Sequence, residues 1–267
     1  MKTLHLGVVG HNISYSKSPL IHSAFAKQAG LPVLYTIEEV GTLSFAQKIA
    51  ALRKAGFWGC NITVPFKEEA FALATHPTLR AKQAGAANTF LFNPDGIIAD
   101  NTDGLGLIRD LTYLGFDLQH KRVLICGAGG AVRGILGPLL EAHPTSITIA
   151  NRSLDKAHIL AERFHPAPID ACTYADLADR TFDLIIDGTS LKTEPLPLPE
   201  TLRLTEGALV YDLKYHNGHA TSIMEWAQDH GAKAAEGMGM LIEQAAEAFF
   251  LWTGYRPDTQ ALRETLQ

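Results

Sequence analysis

The 267-residue sequence predicts an α/β protein of two domains, and three observations carry that prediction. Short apolar runs alternate with helical patterns from the start of the chain, as βα units around a mostly parallel sheet do. A second series of strands begins at residue 123. The first strand of that series runs through a glycine-rich turn into a helix, and the length suits one large or two modest domains.

Taken in order, the run 4–9 is apolar and reads as a strand, and 19–29 is amphipathic with Pro19 in its first turn, where proline suits a helix. Residues 33–38 form the next strand and 44–55 the next helix. In Asn61-Ile62-Thr63-Val64-Pro65-Phe66-Lys67, alternation puts Asn61, Thr63 and Pro65 on one side of a strand end, and Lys67 opens a helix. A polar bend follows at Asn93-Pro94-Asp95-Gly96, then a helix over 103–114, with the domain boundary near 101–104. The second series has strands at 123–126, 146–150, 183–187, 208–212 and 232–236. The proline-rich stretch 194–199 is a loop between elements. The last helix, 238–252, is apolar on several faces through Leu241, Ala245, Ala248, Phe249 and Trp252, and needs a partner surface. It is expected to return to the first domain. The domains are therefore read as 1–101 with 238–267, and 102–237.

Composition excludes several classes of function. Lys and Arg number 23 against 28 Asp and Glu, a net charge of −5, and no basic run is long enough to grip a phosphate backbone. Nucleic acid is not an expected partner. No segment approaches the roughly 18 apolar residues of a membrane span, and the first ten residues lack a signal peptide, so a cytoplasmic protein is expected. Cys60, Cys126 and Cys172 are odd in number and widely spaced, as reduced packing residues are. The sequons at Asn12, Asn61 and Asn151 are chance matches in such a chain. His216 and His219 have no acidic third ligand beside them, and no metal is expected.

Strand 123–126 leads into Gly127-Ala128-Gly129-Gly130-Ala131, and 132–142 looks helical despite Pro138. Such a turn lets backbone N–H groups at a helix N-terminus approach a pyrophosphate. The loop is a candidate phosphate cradle, although Val132 stands where a third glycine would complete the dinucleotide fingerprint, and the competing reading is a tight turn that binds nothing. The second strand ends at Asn151-Arg152-Ser153, and 151 − 127 = 24 puts it where a ribose-reading residue belongs. No acid is there to select NAD. Arg152, Ser153 and Lys156 suit a 2′-phosphate instead, which favours NADP; in the competing reading, Ser153 caps the next helix and the two cations are merely solvated.

Several turns of the first half carry hydroxyls and amides rather than charges: Ser14, Ser16 and Ser18 before Pro19; Asn61 to Lys67; Asn88-Thr89; and Asp100-Asn101-Thr102-Asp103-Gly104. Singly, each piece reads as a cap, a turn or a solvated lysine. Together, at C-terminal strand ends, they describe a polyol site.

These motifs resemble the shikimate dehydrogenase family. The resemblance rests on Ser16-Lys17-Ser18-Pro19, the run from Asn61 to Lys67, Gly85-Ala86-Ala87-Asn88-Thr89, Asn101-Thr102-Asp103-Gly104, Gly127 to Ala131, Asn151-Arg152-Ser153, and Gln244 to Gly254. It implies a substrate domain and a Rossmann-type NADP-binding domain with the active site in the cleft between them. The implied reaction is the reversible reduction of 3-dehydroshikimate to shikimate by NADPH, by a monomer or homodimer. Lys67 and Asp103 match the family's catalytic pair; the sequence leaves open which of them moves the proton, and Lys67 is taken as the carrier with Asp103 as its orienter. Ser16, Ser18, Thr63, Asn88, Asp103, Tyr215 and Gln244 match substrate contacts, the two serines and Tyr215 around the carboxylate. Gly127, Ala128, Gly129, Gly130, Ala131, Asn151, Arg152, Ser153, Lys156, Leu213 and Gly237 match the cofactor side. The chain departs from the family's pattern at Asn12, at Tyr15, at Asp187-Gly188 in place of Asn-Ala, and at His216-Asn217, none of them in the catalytic pair. The rival readings are a quinate/shikimate dehydrogenase with relaxed substrate or cofactor use and a non-catalytic NADPH-binding regulator on the same fold.

Overall fold

The computed structural model describes residues 2–191, 194–215 and 220–266; His216, Asn217 and His219 lie outside them. The chain divides into two units, Met1–Gly106 with Leu241–Gln267, and Leu107–Met240. The first begins β1 (Leu4–Gly10), α1 (Ser18–Ala29), β2 (Val33–Glu39), α2 (Phe45–Lys54), β3 (Gly59–Ile62), α3 (Lys67–Leu73), β4 (His76–Pro77), α4 (Leu79–Ala84), β5 (Thr89–Asn93), β6 (Gly96–Asp100) and the first turn of α5 (Asp103–Tyr113), whose remainder belongs to the second. Local sequence sets several ends: Ser44 and Gln47 form a reciprocal capping box at the start of α2, and Gly30 closes α1 at φ 63°.

The sheet order is β2-β1-β3-β5-β6-β4. It is mixed: β2-β1-β3 and β6-β4 pair in parallel, and the departure from a parallel sheet is confined to β5. The bend at Asn93-Pro94-Asp95-Gly96 is a hairpin turn in which Asn93 pairs with Gly96, so β5 runs antiparallel to both β3 and β6. Asn88 therefore precedes a strand rather than ending one. Because that strand is reversed, its start lies on the same sheet edge as the C-terminal ends of β1, β3 and β6.

The second unit carries β7 (Arg122–Cys126), α6 (Gly130–Glu141), β8 (Ser146–Ala150), α7 (Leu154–Glu162), β9 (Ile169–Cys172), β10 (Thr181–Asp187), β11 (Arg203–Asp212), α8 (Ser222–Asp229) and β12 (Lys233–Glu236). All pairings are parallel, in the order β12-β11-β10-β7-β8-β9. Read from β7 outward this is the doubly wound order, whose direction reverses between β7 and β10. Alternate strand residues fill the two faces: Val123, Ile125, Leu184 and Ile186 pack with Ile135 and Leu139 of α6, while Leu124, Ile185 and Val210 pack with Ile223 of α8. β9 and α8 were not read from the sequence, and β11 begins five residues before the expected 208.

The chain returns to the first unit within α9 (Met238–Thr253) and ends in α10 (Gln260–Leu266). Ala248 and Trp252 of α9 pack with Leu6, Val8 and Tyr35. The Trp252 indole Nε1 donates to Phe90 O at 2.8 Å, and a Cβ on Gly59 would lie 2.3 Å from that carbonyl and 2.5 Å from Nε1. Gly59 is thus required by the close approach of helix and sheet. Gly59→Ala should destabilise the protein by about 3 kcal/mol through overpacking, read as a lowered urea midpoint. An unchanged midpoint would mean the indole can leave the strand at no cost.

Candidate active site

Lys67, Asp103, Asn88 and Gln244 converge in the first unit. Lys67 is the first residue of α3 and Asp103 the first of α5, and Lys67 Nζ lies 2.6 Å from Asp103 Oδ2 with both side chains largely buried. Asn88 Nδ2 donates to Asp103 Oδ1 at 2.8 Å and to Thr102 Oγ1 at 2.9 Å, with Gln244 Oε1 at 3.2 Å. Asn88 Oδ1 accepts the Thr102 amide and the Thr89 hydroxyl, each at 2.9 Å. The Asn88 side chain is thus held from both ends, and its amide fixes the plane of the Asp103 carboxylate.

Two asparagines that the sequence reading gave no role complete this arrangement. Asn101 Oδ1 accepts the Asp103 amide at 3.2 Å while its Nδ2 donates to Ala86 O at 3.0 Å, a local side-chain turn that the Asn-x-Asp spacing could have revealed. Asn61 Nδ2 donates to Asn88 O at 3.2 Å and Thr89 Oγ1 at 3.0 Å, and its Oδ1 accepts the Tyr35 hydroxyl at 2.7 Å. A continuous chain of hydrogen bonds therefore runs from Tyr35 to Lys67.

Ser16 accepts the Ser18 amide at 3.3 Å. Ser18 is the first residue of α1 rather than its cap, since Lys17 occupies the cap position. The loop after β1 is held by Glu39, whose carboxylate accepts the amides of Asn12 and Ile13 at 2.8 and 2.6 Å. Thr63 N donates to Val9 O at 2.9 Å, and a Cβ on Gly10 would lie 2.6 Å from Thr63 Cγ2. Glycine at position 10 lets the serine loop and Thr63 share one edge.

The second unit gathers the other candidates around the end of β7. Gly127 takes φ 103°, a conformation that favours glycine, and its added Cβ would lie 3.0 Å from Gly188 O. Gly129 is the N-cap of α6 with no side-chain cap, and a Cβ there would meet nothing within 4 Å. Open space thus lies beside the unpaired amides of a helix start that carries no acidic residue, which fits an anionic pyrophosphate. Ser153 occupies the N-cap position of α7 yet makes no side-chain cap bond, against the reading that capping explains it. Arg152, Ser153 and Lys156 are all exposed there, while the Asn151 side chain donates to Ser153 O at 2.9 Å and shapes the turn. This geometry fits a dinucleotide bearing a 2′-phosphate. Leu213 N donates to Asp187 O at 2.9 Å, and a Cβ on Gly237 would lie 2.2 Å from Leu213 O, so these two candidates pack together at the ends of β11 and β12. Tyr215 follows, three residues beyond β11 and half-buried.

Cys60, Cys126 and Cys172 are buried free thiols, and burial pushes each above its ordinary range, Cys172 to about 11. They are packing groups. Among the described residues no group of three His, Cys, Asp or Glu side chains could hold a metal, and no helix is long and apolar enough to cross a membrane.

Three family models match the chain: the shikimate dehydrogenase substrate binding domain over residues 8–90, shikimate / quinate 5-dehydrogenase over 111–201, and the shikimate 5′-dehydrogenase C-terminal domain over 237–267. The NADP(+) shikimate dehydrogenase of Aromatoleum aromaticum is 48% identical over 97% of this chain and 95% of its own. Among solved structures, an Ael1 enzyme from Pseudomonas putida superposes with a TM-score of 0.91 at 38% identity, over 99% of this chain and 98% of its own. The shikimate 5-dehydrogenase of Thermus thermophilus, solved with NADP(H) and shikimate, gives 0.87 at 30% identity over 98% of both chains.

Behind the serine loop, one turn along α1, His22 is fully buried and stacks on Tyr35 with ring centroids 4.2 Å apart. Burial lowers its pKa from 6.5 to about 3, so it is neutral in the folded protein. Its contribution to stability is complete above pH 6.5 and is lost as pH falls toward 3, because only the unfolded chain takes up the proton. Unfolding free energies from urea titrations between pH 7 and 4 should fall by up to about 1.4 kcal/mol per pH unit from this group, and His22→Phe should flatten that slope. An identical slope in the variant would assign the acid limb elsewhere.

Proposed function

The chain belongs to the shikimate dehydrogenase family, and on that premise we propose which residues carry its reaction. It is an NADP-dependent oxidoreductase that reversibly reduces 3-dehydroshikimate to shikimate in aromatic amino acid biosynthesis. The observation that carries the assignment is the short, largely buried Lys67–Asp103 pair held in place by Asn88.

NADPH held on the amides of 127–131 would supply the hydride that the carbonyl carbon receives. Lys67 donates its Nζ proton to the carbonyl oxygen as negative charge develops there, and in the oxidative direction its amine takes the hydroxyl proton. Asp103 accepts from Lys67 Nζ, orients it, and offers its carboxylate to a substrate hydroxyl. Asn88 and Gln244 hold further ring hydroxyls, with Thr63 beside them. Ser16, Ser18 and Tyr215 bind the substrate carboxylate as neutral donors. Amides of 127–131 cradle the pyrophosphate, Arg152, Ser153 and Lys156 bind the 2′-phosphate, with Asn151 shaping their turn, and Leu213 and Gly237 border the nicotinamide side. The buried reduced cysteines suit a cytoplasmic protein.

The test is shikimate oxidation followed by nicotinamide absorbance with NADP and with NAD. The wild type should prefer NADP, and Arg152→Ala should weaken NADP by about ten- to a hundredfold while barely changing NAD. Equal loss with both cofactors would make Arg152 a structural residue, and no turnover of shikimate with either would contradict the assigned activity.

A further inference from the structure

β10 and β11 pair so that Asp187 lies beside Asp212, and both side chains are buried, 5% and 0% exposed. Two carboxylates abreast repel one another. Lys214 curls back between them, with Nζ 2.7 Å from Asp187 Oδ2 and 3.0 Å from Asp212 Oδ1, and donates to Thr189 O at 3.3 Å. Asp187 Oδ1 accepts the Thr189 amide at 2.9 Å, and Asp212 Oδ1 accepts the Lys214 amide at 3.0 Å. These three groups together carry a formal charge of 1 − 2 = −1, and Glu236 of β12 stands opposite Asp212 in the register. The titratable neighbours acting on Asp187 from β7 and from residue 174, Cys126 and Tyr174, are both pushed by burial toward their neutral forms.

The place of this charge gives it a role. The phosphate cradle follows β7 and the 2′-phosphate residues follow β8, so the adenosine half of a dinucleotide belongs on the β8 side. The second nucleotide then belongs across the reversal point, toward the ends of β10 and β11. The two redox forms of NADP differ there by one charge, since the oxidised nicotinamide is a cation and the dihydronicotinamide is neutral.

We propose that Asp187, Lys214 and Asp212 together set the preference between the two redox forms of the cofactor, their net negative charge favouring NADP+ over NADPH. This rests on the NADP reading above. A group that only shaped the loop after β10 would strengthen or weaken both forms alike, whereas a charge separates them.

Two substitutions divide charge from shape. Asp187→Asn removes the charge and keeps an oxygen for the Thr189 amide; Asp187→Glu keeps the charge and changes the reach. NADP+ and NADPH are titrated separately into each full-length protein, without substrate, by calorimetry. Asp187→Asn should weaken NADP+ relative to NADPH by about three- to tenfold, and Asp187→Glu should leave that ratio near the wild-type value. An unmoved ratio in Asp187→Asn, or an equal shift in Asp187→Glu, overturns the inference even if both affinities fall. Binding of neither form by the wild type would overturn the NADP reading beneath it as well.

Discussion

The Asn88 side chain is the constraint on which the Lys67–Asp103 pair depends. Its amide reaches Asp103, and its oxygen is claimed by the Thr102 amide and the Thr89 hydroxyl. The segments it joins lie on different elements, and all of its partners are buried, so a rotated amide would leave unsatisfied polar groups out of reach of water. That cost fixes the Asp103 carboxylate, and through it the direction of Lys67 Nζ. Asn61 extends the same restraint to Tyr35, which ties the site to the aromatic packing under α1.

Both units deliver their functional residues at strand ends, by different means. The second does so by doubly wound topology alone: the order reverses between β7 and β10, and the glycine turn lies beside that point. The first breaks the parallel pattern with a hairpin, and the reversal of β5 puts Asn88 on the edge reached by β6, where Asp103 follows. Had β5 run parallel to β3, Asn88 would lie at the opposite edge from Asp103, and the bond between them could not form.

Legibility in the sequence followed the range of the physics. Elements with strong local signals were plain: the apolar run and glycine turn after residue 123, Pro19 in the first turn of α1, and the apolar faces of 238–252. The hairpin at Asn93-Pro94-Asp95-Gly96 read only as a bend, because turn chemistry does not say which strands then pair. β9, a four-residue edge strand containing Asp170, lacked an apolar run to announce it. The candidate site residues were recognisable as motifs, yet Asn61 and Asn101 stood inside those motifs without a role until their partners were in view. Asp187 and Lys214 show the limit. They are 27 residues apart and meet only through the register of β10 against β11, which no local pattern encodes.

In the proposed mechanism Lys67 and Asp103 act as one device rather than as two independent contacts. A double-mutant cycle on kcat for shikimate oxidation, using Lys67→Met, Asp103→Asn and the double variant, tests it directly. Each single change should lower kcat by roughly 10² to 10⁴, and the double variant should be little worse than the poorer single. Losses that multiply in the double variant would contradict it, since the two residues would then contribute independently.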